Sequence, residues 1–263
     1  MAAEPGPALA VDVERAVRLL SQGRLTLVGR ILASSNAIFL ATVEDEDLRA
    51  LAIYKPRRGE RPLWDFPPGS LCLREVAAYV VSQALDWPLI PPTVLRDGPY
   101  GPGALQLYID ADPQANYFTL RDNADEGDEY IPDTRYIRRL PDLLPVALFD
   151  VLANNADRKG GHLLLDRQGR VWAIDNALTF SAESKLRTVI WDFAGEPIPE
   201  EYLANLRQFH KRLARRSTLR QALARLLDEG EIGALQARLE ELLERATFPY
   251  PDPTRRQVPW PLL

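Results

Sequence analysis

Two periodicities divide this chain, and where each falls constrains the fold more than any other feature. Strict apolar–polar alternation, rich in β-branched side chains, marks residues 25–32 and 37–43 on either side of a small polar turn, Ser34-Ser35-Asn36. A third such run, Leu48 to Tyr54, follows an acidic turn, so the three read as an antiparallel meander. The stretch LCLREVAAYVVSQAL at 71–85 has helical spacing, ended by Pro88, and GALQLYID at 103–110 returns to strand. A short amphipathic helix, capped by Asp12 and stopped at Gly23, precedes the meander. From Pro141 the character changes to helix (DLLPVALFDVLAN), followed by the charged loop NADRKGGH at 155–162 and a hairpin. The hairpin strands are expected at His162–Leu165 and Arg170–Ile174, with helices again at 200–216 and 217–246. The order predicts an α+β fold in two lobes. Residues 1–110 form a small antiparallel sheet with one main helix, and 111–263 a larger, mainly helical lobe, with the boundary near Asp110.

Composition narrows the setting. The 22 prolines cluster at 62–68, 88–102 and 249–261, where they read as connections and a tail. A single cysteine, Cys72, rules out a disulfide framework and fits a reducing compartment. No apolar run approaches the roughly 18 residues that span a bilayer, and the first residues lack the basic-then-apolar order of a secretory signal. A cytoplasmic protein is therefore expected. The formal net charge of −5 argues against a general affinity for nucleic acid or anionic lipid.

Four features then stand in a chemically sensible order. Lys55 ends the third strand in LAIYKP, and Glu75 lies on the helix that follows. A lone strand lysine usually snorkels to solvent and a lone helix glutamate is usually solvated, but together they match the ion pair that holds nucleotide phosphates in kinases. Asp157 precedes His162 by five residues, and Asp175 closes the second hairpin strand thirteen residues later. Strand, turn and strand would carry the chain out and back, so that Asp157, His162 and Asp175 face one cleft. Phosphoryl transfer needs such a set: a carboxylate to orient the acceptor hydroxyl, a metal-binding carboxylate, and a cation on the phosphates.

On these residues the chain resembles the phosphatidylinositol 3-/4-kinase-like branch of the protein-kinase superfamily, in a compact bacterial form. DRKGGH at 157–162 resembles that branch's DRxxxN catalytic loop, and IDNAL at 174–178 resembles its metal-binding motif. The resemblance runs from about residue 24 to 180 and implies a two-lobed protein-kinase-like fold using ATP with Mg²⁺ or Mn²⁺. It implies that Lys55 binds the α/β-phosphates and pairs with Glu75, that Asp157 is the base, and that Asp175 and position 162 hold metal. Ser34, Ser35 and Asn36 would cover the phosphates without a GxGxxG pattern, and Leu107, Tyr108, Ile109 and Asp110 would form the hinge beside adenine.

Two departures qualify that picture. His162 stands where the branch has Asn, and imidazole suits softer metals than Mg²⁺; it either contacts a metal or makes a structural hydrogen bond. The segment after Asp175 is short and lacks the basic character expected for phosphoinositide recognition, so the acceptor is expected to be a protein or small molecule. A pseudokinase that binds nucleotide or a partner, and an AMP transferase on the same fold, are the alternatives. WDFAG at 191–195 is out of place for a metal motif and reads as packing. The basic run from Arg207 to Arg225 reads as a solvated helix face, the acidic stretch 122–129 as a solvated insertion, and Cys72 as core.

Overall fold

The computed structural model describes residues 12–32, 35–122 and 139–263. Ser34 and most of the acidic stretch lie outside those residues. The first half is a five-stranded antiparallel sheet in the order β1-β2-β3-β5-β4. Its strands are β1 (Arg24–Ile31), β2 (Ile38–Glu44), β3 (Arg49–Pro56), β4 (Thr93–Gly98) and β5 (Gly101–Leu107). The expected meander is there, with Asp45 closing the β2–β3 turn through its carboxylate, which accepts the backbone N–H groups of Asp47 and Leu48. β4 corrects the reading of 88–102 as a connection. Pro91 and Pro92 stop just short of the strand, and the Gly98–Gly101 turn folds it back onto β5.

Alternation decides which face of the sheet meets which helix. Tyr54 and Leu105 are paired across β3 and β5 and pack with Leu19 and Leu20 of α1 (Val13–Gln22). The next pair, Lys55 and Ala104, therefore points the other way, where Ala104 packs with Cys72 and Val76 of α2 (Leu71–Ala84). α1 thus covers one face and α2 the other. The start of α2 is capped by a distant side chain: Glu60 accepts the N–H groups of Leu71 and Cys72.

The second half is helical: α3 (Tyr117–Asp122), α4 (Leu140–Ala153), α5 (Glu200–Arg212), α6 (Thr218–Leu223) and α7 (Glu229–Arg245). The long helix expected at 217–246 is broken between α6 and α7, where Asp228 and Glu231 form a reciprocal N-terminal cap for α7. The largest core cluster joins α4, α5 and α7 to the inner face of α2 through Ala77, Ala78, Val81 and Leu85. Each large apolar side chain buried there contributes roughly 2 kcal/mol, so α2 is tied to the helical half as well as to the sheet. Arg74 strengthens that tie. It is fully buried, pairs with Glu231 of α7 and donates to the Thr179 carbonyl at 2.5 Å. Among the described residues no helix is long and apolar enough to cross a membrane.

Cys72 is buried as expected, and its thiol is pushed up to about 12 by burial beside Glu60. WDFAG is packing: Phe193 stacks near Phe248 with ring centroids 5.6 Å apart, and Asp192 accepts the Tyr117 hydroxyl at 2.6 Å. In the basic run, Phe209, Leu213 and Leu223 enter the core. Arg212 donates to the last α2 carbonyl, Ala84, at 2.9 Å, and the run's other cations lie toward solvent or pair locally.

Candidate active site

The site begins where α4 stops. Asn154 takes the left-handed conformation (φ 52°) at the helix end, a role Asn tolerates better than most residues. The chain then turns through Asn155 and Ala156 to Asp157. One buried carboxylate, Asp150, organises this turn. It accepts from the Asn155 amide at 2.9 Å, the Thr188 hydroxyl at 3.1 Å and the Arg158 guanidinium at 3.0 Å. Asp150 and Arg158 are both wholly buried. Arg158 reaches on to the Ile174 carbonyl at 2.7 Å and the Asn176 side chain at 2.6 Å, residues that flank Asp175. A single guanidinium thereby fixes the loop carrying Asp157 against the segment carrying Asp175.

A hairpin completes the arrangement. β6 (Leu163–Leu165) pairs with β7 (Val171–Ala173), and the Ile174 N–H donates to the His162 carbonyl at 2.9 Å. His162 itself lies in a 3-10 turn, Gly160–His162, so the expected first strand begins one residue later. The hairpin register sets His162 beside Asp175, with Nε2 3.4 Å from Oδ2. Asp175 holds a left-handed φ of 56°, which aims its carboxylate back at the sheet.

Lys55 meets the carboxylate expected of it, Glu75, and a second one, Asp175. Its ammonium pairs with Glu75 and lies 3.3 Å from Asp175. Burial pulls Lys55 down, but Glu75 and Asp175 outweigh it and hold the ammonium above its ordinary range. The Lys55 charge keeps Asp175 far below the usual carboxylate range. Burial pushes Glu75 up against the pull of Lys55, so Glu75 depends on that ammonium and on the Asn176 N–H it accepts at 3.2 Å. Asp157 is likewise lifted by burial, with Lys159, Arg187 and Arg256 opposing.

His162 is pushed down to about 4, chiefly by burial, which leaves the ring neutral near pH 7. Its Nδ1 accepts the Lys159 backbone N–H at 3.3 Å. The ring proton is therefore assigned to Nε2, facing Asp175. Among the described residues no three His, Cys, Asp or Glu side chains cluster as a metal cage. A single carboxylate such as Asp175 could still take part in a Mg²⁺ or Mn²⁺ site completed by phosphate oxygens and water.

The other expected residues that the structure describes keep to local contacts of their own. Asn36 follows the β1–β2 turn and accepts the Arg61 N–H at 2.7 Å, while Ser35 precedes it. In the segment expected to form the hinge, the Leu107 and Tyr108 N–H groups donate to the carbonyls of Pro92 (2.9 Å) and Leu51 (3.0 Å). Asp110 lies 3.4 Å from Arg167. The residues sequence reasoning missed are the supporting ones: Asp150, Asn155, Arg158 and Asn176. The available signal was Asp150 itself, a charge inside the otherwise apolar helix LLPVALFDVLAN.

Comparison with known proteins places this geometry. Protein Rv2133c of Mycobacterium tuberculosis is 42% identical over 277 aligned positions, which cover 95% of each chain. The chain belongs to the Rv2133c family. No family model matches it. Among solved structures, the Golgi casein kinase with Mn/ADP bound superposes with a TM-score of 0.56 at 14% identity, covering 92% of this chain and 80% of that one. Hydra Fam20 with sugar gives 0.52 at 18% identity over 90% of each chain. The Helicobacter pylori proinflammatory kinase CtkA gives 0.52 at 10% identity over 87% and 94%. The fold is similar to those kinase-like folds.

Proposed function

We propose that this member of the Rv2133c family is an ATP-dependent phosphotransferase working in the cleft between residues 1–110 and 111–263. The observation that carries the reading is the convergence of Lys55, Glu75 and Asp175, from a strand, a helix and a hairpin end, on one ammonium. Lys55 steadies the α/β-phosphates, and Glu75 holds Lys55 in place. The acceptor oxygen attacks the γ-phosphorus, the bond to the β-phosphate oxygen breaks, ADP leaves, and the hydroxyl proton passes to Asp157. A lifted Asp157 is better matched to that proton than an ordinary carboxylate. A divalent cation, Mg²⁺ or Mn²⁺, would neutralise charge on the phosphates, held by Asp175. The Golgi casein kinase structure with Mn/ADP bound supports that use of metal.

His162 we assign to orienting Asp175 through Nε2–H. Coordination of a metal through the same nitrogen would require the proton to move to Nδ1 and the Lys159 N–H to lose its acceptor. Ser34, Ser35 and Asn36 would cover the phosphates. With Leu107 and Tyr108 N–H groups committed inward, adenine would pair at Ile109 and Asp110. The spacing of DRKGGH is the ground for setting the chain beside the phosphatidylinositol 3-/4-kinase-like branch, with a protein or small molecule as acceptor.

A second reading has its own observation: Asp175 already has two partners, Lys55 and His162, as in a pseudokinase that binds nucleotide without turnover. Intact-mass measurement of protein and candidate acceptors after incubation with ATP and Mn²⁺ separates the cases. Addition of a phosphoryl group supports the kinase, addition of AMP indicates nucleotidyl transfer, and ATP-dependent thermal stabilisation with no mass change supports the pseudokinase.

A further inference from the structure

A second cleft, of about 670 Å³, lies on the helical half between residues 182–187, α7 and the segment 247–257. Neither Lys55 nor Asp175 lines it. The protein is acidic overall, yet this cleft is rich in cations. Three of them are matched locally: Lys185 with Asp65 at 3.3 Å, Arg245 with Glu241 at 2.9 Å and Arg255 with Asp252 at 3.4 Å. Arg187, Arg238 and Arg256 form no close ion pair among the described residues, and Arg187 and Arg256 act on Asp157 only at longer range.

The first two are further set apart. Among the described residues, two side-chain polar atoms are buried without a hydrogen-bond partner, Arg187 Nε and Arg238 Nη2, and both residues line this cleft. Arg238 is anchored by the carbonyls of Leu152 (2.8 Å) and Ser181 (3.3 Å), which leaves the unpaired nitrogen held in place. A buried N–H without an acceptor is costly and rare in folded proteins. Two such groups, on guanidinium side chains that line one cleft, point to an anion as their acceptor, since the planar guanidinium suits phosphate and carboxylate oxygens.

The cleft also adjoins the catalytic loop. The Arg187 backbone bonds to Asn155 and Arg158 on either side of Asp157, at 2.8 and 3.0 Å. Arg187 and Arg256 both act on the Asp157 carboxylate. Trp191 and Tyr250 supply apolar wall.

We propose that this cleft binds the anionic group, phosphate or carboxylate, of a small hydroxylated acceptor, using Arg187, Arg238 and Arg256, and directs its hydroxyl toward Asp157. The hydroxyl's fate rests on the phosphotransfer reading, whereas anion binding does not.

The test is thermal denaturation of the full chain at fixed ionic strength, without nucleotide, titrated with glucose 6-phosphate, gluconate or glucose. Glucose 6-phosphate, gluconate or both should raise Tm saturably while glucose does not, and the responding anion shows which group is preferred. The Arg187→Gln/Arg238→Gln protein should bind about tenfold more weakly. Arg256→Gln, at an exposed position, should also weaken binding, whereas Arg225→Gln, which removes the same charge elsewhere on the surface, should not. Binding of Mn²⁺ with a non-hydrolysable ATP analogue should be equal in wild type and double variant, which separates loss of this site from loss of the nucleotide cleft. Equal responses to glucose and the two anions, no response to either anion, or unchanged binding in the double variant would overturn the proposal.

Discussion

His162 shows how one substitution redirects local chemistry. An Asn at this position would offer an amide oxygen; the imidazole instead places a neutral ring against Asp175, with its other nitrogen tied to Lys159. The sign of the pH effect follows. In the unfolded chain a histidine takes a proton near pH 6.5, but His162 in the fold does so only near pH 4. Between those values the unfolded state holds more protons, so stability falls as pH falls through this window, by up to ~3 kcal/mol. Denaturant titrations in EDTA at pH 7 and pH 4.5 should therefore show a pH-dependent loss that shrinks in His162→Asn. An identical loss in both proteins would remove His162 as its source. That His162 would lie beside Asp175 was legible from the hairpin between them. Its tautomer was not, because that depends on the Lys159 backbone N–H, three residues away in a loop whose course the sequence left open.

At the scale of elements, the loop carrying Asp157 is held by a buried polar hub. Asp150 is wholly buried and serves Asn155, Arg158 and Thr188 together. Removing one partner of a buried ion pair leaves an uncompensated charge and costs about 3–5 kcal/mol. Asp150→Ala should lose that much stability by chemical denaturation, and Asp150→Leu/Arg158→Met should recover part of it. Equal losses in both variants would mean that the unpaired guanidinium is not the cause. The elements were read well wherever local pattern decides them: β1 to β3, α2, α4 and the β6–β7 hairpin. They were missed where Pro/Gly punctuation or a local cap outweighed the apolar pattern, and where the deciding contact is distant. β4 sits among prolines and glycines and is a strand because β5 pairs with it. The α6–α7 break is set by the Asp228–Glu231 cap. The tail's docking, in which Gly160 N–H donates to the Leu262 carbonyl at 2.7 Å, spans a hundred residues of sequence.

For the whole molecule, the division by sequence and the division by packing differ. α2 belongs to the first half of the chain, yet its inner face shares a core with α4, α5 and α7, and Arg74 binds it to α7. Native-state hydrogen exchange should show α2 amides protected together with those of α4 and α7, and β1 amides exchanging through smaller openings. Protection of α2 that matched β1 instead would mean the helix moves with the sheet. A fixed α2 keeps Glu75 against Lys55, so the ion pair would be preformed before nucleotide arrives. The direct test of the central claim is ATP turnover with Mg²⁺ and with Mn²⁺, comparing wild type with Asp175→Ala. Metal-dependent turnover in the wild type that falls by about 100-fold or more in the variant is the expected result. Equal turnover in the two proteins would contradict it.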